Sequence, residues 1–184
     1  MKEDRNRICP VELADSLDSR IRKWIQDPTK ILSPFIREGI KILDIGCGPG
    51  YFTIEMAKMA GKESKVFAVD IQEGMLKKLH DKIAGTELEG RIILVKNEKG
   101  KNNIPEKVDF ILAFYMVHEV PDKDLLFKEL KDKLKENGQF LIVEPKLFHV
   151  SKTEFNSTLK TAEKNGFKIN PGPKLPFSHS AILN

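Results

Sequence analysis

The feature that most constrains the fold of this chain is the alternation of short apolar runs with amphipathic stretches from Ile40 onward. The apolar runs are rich in Ile, Leu, Val and Phe, which is typical of strands buried on both faces. The stretches between them carry apolar residues three and four positions apart, the spacing of one helix face. This alternation predicts a parallel sheet between two layers of helices. Strands are predicted at 41–46, 65–69, 92–96, 108–114 and 140–144, with a closing pair at 167–169 and 180–183.

Residues with capping preferences mark the ends of the predicted helices. Asp27 and Pro28 have the residue types of an N-cap and a first helical position. Ser151 and Glu154 have the spacing of a capping box, and glycines follow several helical stretches, where they commonly end a helix. The predicted helices run from Pro28 to Gly39 with Ile31, Leu32, Phe35 and Ile36 buried, over 51–60, around Met75–Ile83, over 123–136 up to Asn137-Gly138, and from Ser151 to Gly166.

The first 26 residues differ from the rest of the chain, because they carry only short apolar patterns between Val11 and Ile25. Such patterns predict short helices that lie over another part of the protein. A chain of 184 residues is the size of one ordinary domain. We therefore expect an N-terminal helical lid, residues 1–26, and an α/β domain, residues 27–184.

Composition and charge exclude several classes of protein. Apolar residues make up 40% and charged residues 32% of the chain, which predicts a packed core with a solvated surface rather than disorder. The net charge of +4 does not favour nucleic-acid binding. Cys9 and Cys47 provide neither a disulfide framework nor a metal-ligand set. No stretch approaches the length of a membrane span and no apolar leader follows the charged start, so a cytoplasmic protein is expected.

A glycine-rich turn, Asp44-Ile45-Gly46-Cys47-Gly48-Pro49-Gly50, connects the first predicted strand to the next helix. Glycines permit positive φ angles and let a ligand approach the backbone. A dinucleotide fingerprint would require Gly or Ala where Tyr51 stands, and the Lys-Ser/Thr end of a P-loop is absent. The turn is therefore not of the type built around a pyrophosphate. With an acid at its head it fits a ligand that has an ammonium group and a short amino-acid tail, although many tight turns look similar.

Asp70 ends the second predicted strand, 20 residues after Gly50. A carboxylate at this place can accept hydrogen bonds from both hydroxyls of a ribose, or it can simply cap the next helix. Ile71 could lie on the face of an adenine. Ligands of parallel α/β sheets bind beyond the carboxyl ends of the strands, at the point where the strand order reverses. The candidate site therefore consists of 44–50, 70–72, 97–98, 113–119 and 144–146.

The segments ILDIGCGPGYFT, VFAVDIQEGML and VDFILAFYMVHEVPDKDLLFKELKDKLKENGQFLIVEP resemble the class I S-adenosylmethionine-dependent methyltransferases. They are most similar to the small-molecule enzymes related to ubiquinone and menaquinone biosynthesis. The resemblance covers about residues 30–184. It implies a Rossmann-like, doubly wound sheet of seven strands in three αβα layers, mostly parallel with an antiparallel C-terminal strand. It also implies that segments before the sheet cover the substrate.

The resemblance implies a role for each strand end in binding S-adenosylmethionine. The backbone of the glycine turn would contact the methionine end, and Asp44 would lie near its ammonium group. Asp70 would hold the ribose and Ile71 would pack on adenine. The Asp that often follows the third strand in this family is absent, so Asn97 or Glu98 would stand in for it. The implied cofactor-binding residues are Asp44, Gly46, Cys47, Gly48, Asp70, Ile71, Asn97 and Glu98, together with Ala113 and Phe114 along the methionine arm.

Four residues after the fourth and fifth strands are candidates for contact with the methyl acceptor. His118 or Glu119 could act as a base, or the two could only order the start of a segment. Tyr115 could orient the substrate, or pack with its hydroxyl satisfied. Glu144 could contact the acceptor or cap a neighbouring segment. A base is needed only when the acceptor atom has a proton to lose.

Three functions are compatible with these features. The first is methyl transfer from S-adenosylmethionine to a small molecule by in-line displacement, with S-adenosylhomocysteine as the product; alignment of the reacting atoms would supply much of the acceleration. The second is methylation of RNA or protein, although the AFYMVHEV segment lacks the Asn/Asp-Pro-Pro-aromatic motif of amino-group nucleic-acid methylation. The third is a non-catalytic S-adenosylmethionine-binding protein. A monomer or homodimer without a metal or nucleic-acid partner is expected.

Overall fold

A mixed sheet of seven strands is the central element of the computed structural model, which describes residues 26–97, 104–146 and 150–184. The strands are β1 Lys41–Ile45, β2 Lys65–Asp70, β3 Ile92–Lys96, β4 Val108–Phe114, β5 Leu134–Pro145, β6 Ile169–Pro171 and β7 Ser178–Leu183. They are ordered β3-β2-β1-β4-β5-β7-β6. Neighbours among the first five strands are parallel, and β7 runs antiparallel to β5 and β6. The predicted Rossmann-like sheet with an antiparallel C-terminal strand is confirmed.

Helices cover both faces of the sheet. They are α1 Pro28–Leu32, α2 Tyr51–Met59, α3 Glu73–Ile83, α4 Lys123–Lys133 and α5 Lys152–Lys164. The first three helices share a buried cluster with Ile42 and Phe110, whereas α4 and α5 share a second cluster with Leu43 and Ile111. Successive strand residues point to opposite faces, so each strand contributes to both clusters. The result is the predicted three-layer arrangement.

The capping residues identified in the sequence act as predicted. Asp27 caps α1 by accepting a hydrogen bond from the Thr29 N–H at 3.1 Å. Ser151 and Glu154 form the capping box of α5, in which each side chain accepts from the other residue's backbone N–H. Both caps satisfy N–H groups that have no partner inside the helix.

The predicted end of the first helix is wrong. The helix ends at Leu32, whereas the apolar stripe predicted that it would continue towards Gly39. Pro34 has no N–H to continue the helical hydrogen bonds, so the chain turns there. Phe35 and Ile36 are nevertheless buried as predicted, because the Ile36 N–H bonds to the Leu32 carbonyl at 3.1 Å and directs the turn into the core.

The predicted boundary between α4 and β5 is also wrong. The helix ends at Lys133 rather than at position 136, and Leu134 already pairs with Val108 of β4. The register shifts before the regular pairing of β4 and β5 resumes at Gln139, so the Asn137-Gly138 pair lies within an irregular part of the strand. Burial of Leu134 beside β4 outweighs the helical preference of the sequence that follows it.

The closing strand β7 brings the C-terminal tail back to the carboxyl edge of the parallel strands. Because β7 is antiparallel to β5, its first residue, Ser178, pairs with Pro145 near the end of β5. Glu144 pairs with His179 in the same register. The tail therefore contributes residues to the edge at which a ligand is expected.

Candidate cofactor and acceptor site

The glycine turn lies beyond the end of β1, where the strand order reverses. The N–H groups of Gly46 and Cys47 both donate to the Val69 carbonyl, at 2.8 and 3.0 Å. Gly46, Gly48 and Gly50 have φ angles of 71°, 53° and 88°, which other residues rarely adopt. A Cβ on Gly48 would meet no atom of the described residues within 4 Å. The turn therefore has room for a ligand beside Gly48.

Gly50 has a packing role that the sequence did not reveal. A Cβ at this position would collide with the side chain of Leu79, which is fully buried on α3. On the same helix, the Lys82 ammonium donates to the Pro49 carbonyl at 2.8 Å. Helix α3 therefore fixes the position of the turn. No local signal could have identified these contacts, since they depend on how α3 packs.

Asp70 links the glycine turn to the end of β2. Its Oδ2 accepts from the Gly48 N–H at 2.9 Å, and its Oδ1 accepts from the Gln72 N–H at 2.8 Å. Burial raises the pKa of Asp70 above its ordinary value, whereas the N–H donors of Gln72 and Gly48 lower it. The backbone N–H of Ile71 also lowers this pKa. A carboxylate has about four lone-pair sites, so these backbone donors leave acceptor capacity for a ribose.

Asp44 is buried within β1 and holds the first turn of α2. The Thr53 hydroxyl donates to Asp44 Oδ2 at 2.5 Å, and Thr53 is fully buried. Sequence reasoning missed Thr53, although a hydroxyl residue shortly after the glycine turn is visible in the sequence. Asp44 thus has a structural bond, and its implied contact with an ammonium group stays a prediction.

Two of the predicted adenosine-binding residues lie beside Asp70. Ile71 is 49% exposed, which is unusual for a large apolar side chain next to a buried carboxylate. The Asn97 N–H donates to the Asp70 carbonyl at 3.0 Å, so the end of β3 adjoins the same position. Glu98, the alternative to Asn97, lies outside the described residues.

Aromatic side chains surround the end of β4. The ring of Phe114 lies 4.2 Å from that of Phe52 and 4.6 Å from that of Tyr115, measured between centroids. Tyr51 contacts Phe52 edge to face. Such rings can stabilise a neighbouring sulfonium cation. Ala113 is fully buried in the cluster on the other face of the sheet.

The hydroxyl of Tyr115 joins three parts of the chain. Gln26 Nε2 donates to it at 2.7 Å, and Ser178 Oγ lies 2.6 Å from it. The Tyr51 hydroxyl in turn donates to the Gln26 carbonyl at 3.1 Å. Sequence reasoning missed Gln26 and Ser178, which come together only in the folded chain. The Tyr115 hydroxyl is therefore satisfied, which was one of the two predicted alternatives.

Two residues other than glycine have positive φ angles in the described chain, and both lie at this edge. Tyr115 has φ 60° and Phe177 has φ 54°. Backbone strain of this kind is concentrated at functional sites, where the surrounding structure holds it in place. The Lys146 N–H donates to the Phe177 carbonyl at 2.8 Å and ties this position to the end of β5.

Glu144 and His118 form a hydrogen-bonded pair between the ends of β5 and β4. The Glu144 carboxylate is buried and accepts from the backbone N–H groups of Val117 and His118, at 3.0 and 3.2 Å. The Nδ1 atom of His118 lies 2.6 Å from Glu144 Oε2. Val117–Glu119 form a short 3-10 helix, so Glu144 caps a neighbouring segment, as one alternative predicted. Glu119 lies half-buried in the same turn.

Met116 places this pair beside the glycine turn. A Cβ on Gly46 would lie 2.8 Å from the Cβ of Met116, so the segment after β4 passes directly over the turn. The sequence gives no signal for this contact. Because of it, His118 and the glycine turn belong to one site.

Other features of the described residues lie elsewhere. A cavity of about 330 Å³ is found at the opposite edge of the sheet, where β1 and β4 begin, and Phe35, Asp109 and Lys135 are among its lining residues. Within the described ranges no group of three or more His, Cys, Asp or Glu residues could hold a metal ion. No helix in that part of the chain is long and apolar enough to span a membrane.

The residues at the carboxyl edge fit S-adenosylmethionine. Gly48 leaves space beside the backbone, Asp70 offers acceptor sites, and Ile71 offers an exposed apolar surface. The aromatic rings around Phe114 lie at the end of the adjacent strand. An adenosyl group and a methionine arm could therefore contact all of these groups along one edge.

A comparison with protein families agrees with this geometry. The family described as "Methyltransferase domain" matches residues 36–171, which include β1 to β6. The chain therefore belongs to this methyltransferase domain family. The predicted resemblance to class I S-adenosylmethionine-dependent methyltransferases is confirmed.

Curated relatives carry names from quinone biosynthesis. The demethylmenaquinone methyltransferase of Bacillus subtilis (strain 168) is 28% identical over 130 residues, which are 69% of this chain and 55% of that protein. The ubiquinone/menaquinone biosynthesis C-methyltransferase UbiE of Saccharophagus degradans is 30% identical over 110 residues, or 59% of this chain and 44% of that protein. The chain spans about half the length of these relatives.

A solved structure matches the chain over almost its whole length. A SAM-dependent methyltransferase from Aquifex aeolicus has a TM-score of 0.83 and 25% sequence identity, with 96% of this chain and 98% of that chain covered. The fold described above is thus that of a solved methyltransferase of similar extent.

Proposed function

We propose that this chain transfers a methyl group from S-adenosylmethionine to a small-molecule acceptor, with S-adenosylhomocysteine as the product. The observation that carries the proposal is the arrangement of the glycine turn, Asp70 and Ile71 at the strand-order reversal of a methyltransferase-family domain. The cofactor supplies an electrophilic methyl on a sulfonium. The chain's own residues need only hold the reacting partners in line and exclude water.

In this proposal each strand end binds one part of the cofactor. The backbone of Gly46, Cys47 and Gly48 contacts the methionine end, and Asp44 lies near its ammonium group. The Asp70 carboxylate accepts the ribose hydroxyls. The remaining contacts come from Ile71 and Asn97 or Glu98 around adenine, and from Ala113 and Phe114 along the methionine arm.

Two observations support a small acceptor over RNA or protein. The curated relatives are named for methylation in quinone biosynthesis. The net charge of +4 gives little general attraction to a polyanion. A cytoplasmic location and a monomeric or homodimeric state are further parts of the proposal, and they depend on the sequence alone.

The direct test follows the tritiated methyl group of S-adenosylmethionine into a methyl acceptor. Reduced demethylmenaquinone with a short side chain, a mixed RNA and a mixed protein sample are offered separately, and Asp70→Ala serves as the matched control. We expect label in the quinone extract with the wild type and a large loss of label with the control. Label in RNA or protein alone would contradict the small acceptor. Tight cofactor binding without transfer to any sample would favour the non-catalytic alternative.

A further inference from the structure

We propose that His118 takes up the proton that the acceptor atom loses, and that Glu144 is the positioning residue that holds His118 for this step. The inference rests on the proposed function and narrows its substrate class. The acceptor atom then carries a hydrogen that leaves as a proton, as in a hydroxyl, an N–H group or an activated ring C–H. Thioethers and tertiary amines, which have no such proton, fall outside this class.

The contacts of Glu144 define which nitrogen of His118 can act as a base. A carboxylate is an acceptor only, so the 2.6 Å contact with Oε2 places the ring proton on Nδ1. The lone pair of the neutral imidazole is then on Nε2. The carboxylate itself is held by the backbone N–H groups of Val117 and His118, and it is only 1% exposed. Glu144 is therefore too enclosed to serve as the base itself.

The position of the pair is suited to this task. His118 follows Met116, whose side chain lies against Gly46 of the glycine turn. The imidazole is 16% exposed, compared with 2% for the Glu144 side chain, so the ring is the member of the pair that a bound molecule can reach. The carboxylate at Nδ1 also stabilises the imidazolium that forms when Nε2 gains a proton.

The step balances without a further reactant. The acceptor atom forms a bond to the methyl carbon with a lone pair on oxygen or nitrogen, or with a ring π pair at a C–H carbon, whose C–H electrons then restore the ring, and the electrons of the broken carbon–sulfur bond remain on sulfur. The proton of the acceptor atom moves to His118 Nε2. The imidazolium then releases that proton to solvent, and the neutral ring with its Nδ1–H bond to Glu144 is restored.

Other titratable groups lie near the pair. Glu119 belongs to the same short helix, and His179 faces Glu144 across β5 and β7. Burial lowers the pKa of His179, and the positive charge of Lys146 lowers it further. His179 stacks on Phe155 with ring centroids 5.1 Å apart. A His179→Gln variant therefore removes the contribution of this second histidine from a pH profile.

The first experiment needs no acceptor. Ring nitrogens of 15N-histidine-labelled protein with bound S-adenosylhomocysteine are observed by NMR, and His118 is assigned by comparison with His118→Asn. We expect the neutral ring of His118 to be protonated on Nδ1, and Glu144→Gln to shift the ring towards the other tautomer. A neutral ring protonated on Nε2 in the wild type would overturn the inference, whether or not an acceptor has been found.

The second experiment measures methylation of reduced demethylmenaquinone against pH. His118→Asn keeps an N–H donor near the Nδ1 position but removes Nε2, and His80→Asn changes an exposed histidine on α3 as the matched control. We expect kcat of His118→Asn to fall on the order of 10²- to 10⁴-fold, with S-adenosylhomocysteine affinity within threefold of the wild type. In the wild type and in His80→Asn, we expect kcat to rise with pH and then reach a plateau. This rise should be absent in His118→Asn.

Rescue separates a base from a structural role. Imidazole added to His118→Ala should restore part of the lost rate and bring back the pH-dependent rise, because a free imidazole can replace the missing base. A His118→Asn variant with kcat within threefold of the wild type would overturn the inference. Absence of transfer by the wild type would instead contradict the acceptor named under the proposed function, and the NMR experiment would still test whether Nε2 is the unprotonated nitrogen that the inference requires.

Discussion

Asp70 is held in a buried position that disfavours its ionised form. Because burial raises its pKa above the ordinary value, the native state binds this proton more tightly than the unfolded chain does. The contribution of Asp70 to stability therefore falls as pH rises from the pKa of Asp70 in the unfolded chain to its higher pKa in the native state. The free energy of unfolding of the wild type minus that of Asp70→Asn should decrease from about pH 3 upward and then level off. Denaturant titrations at a series of pH values measure this difference.

Comparison with Asp70→Asn is necessary because other carboxylates change the free energy of unfolding with pH in the opposite direction. The pKa of Glu106 is lowered by its hydrogen bond to Lys41, and that of Asp124 by its bonds to Asn165 and Lys164. Their contributions are present at higher pH and lost as pH falls. Both proteins contain these carboxylates, so their contributions cancel when the free energy of unfolding of Asp70→Asn is subtracted from that of the wild type at each pH. A difference that rises with pH would contradict the buried state of Asp70.

Gly48 and Gly50 provide a matched pair within one turn. Both have positive φ angles, but only a Cβ on Gly50 would collide with Leu79. Gly50→Ala should therefore destabilise the protein by roughly 2–4 kcal/mol, from backbone strain and overpacking together. Gly48→Ala should cost only about 1–2 kcal/mol of stability, but weaken S-adenosylhomocysteine binding at least tenfold. Denaturation and calorimetry measure the two effects, and the reverse pattern would contradict the assignment of the turn.

Residues within one sequence segment were predictable, whereas contacts between segments were not. The glycine turn and Asp70 follow from local residue types at strand ends, and the structure joins them through the Gly48 N–H. The Gly50–Leu79 contact and the Tyr115 hydroxyl network depend on packing between distant elements. Neither residue type nor spacing contains that information.

The N-terminal segment is the element whose role is least fixed by the described residues, because all of it except Gln26 lies outside them. Gln26 bonds to Tyr115 and Tyr51 at the candidate site. We predict that residues 10–25 cover the acceptor, so deletion of residues 1–25 should abolish turnover but leave S-adenosylhomocysteine binding largely intact. Calorimetry and the tritium transfer assay measure both properties. A truncated protein that fails to fold would show that the segment belongs to the core.

Elements with strong periodicity were predicted well, and their ends less well. Apolar runs predicted six of the strands close to where they lie, because buried strands leave a continuous apolar signal. The sixth was predicted two residues too early: β6 is mostly exposed and begins at Ile169, the last residue of its predicted range. The end of α1 depends on the missing N–H of Pro34, and the end of α4 on the pairing of Leu134 with Val108. In the second case tertiary contacts overrode local preference.

For the molecule as a whole, the charge distribution predicts weak binding to nucleic acid. The net charge is only +4, and ion pairs such as Lys96 with Glu73 and Lys164 with Asp124 lie on the surface. Binding to RNA or DNA should therefore be weaker than micromolar at physiological salt, as measured by fluorescence anisotropy. Sub-micromolar binding that falls steeply with salt would indicate many phosphate contacts and a nucleic-acid substrate.

The central claim is that the carboxyl edge of this sheet binds an adenosyl cofactor through Asp70. Its most direct measurement is calorimetric titration of S-adenosylhomocysteine into the wild type and Asp70→Ala, with circular dichroism to confirm that both are folded. Loss of charged hydrogen bonds to the ribose should cost about 2–4 kcal/mol, or roughly 30- to 1000-fold in affinity. We expect tight binding by the wild type and this loss of affinity in the variant. A folded variant that binds within threefold of the wild type would contradict it.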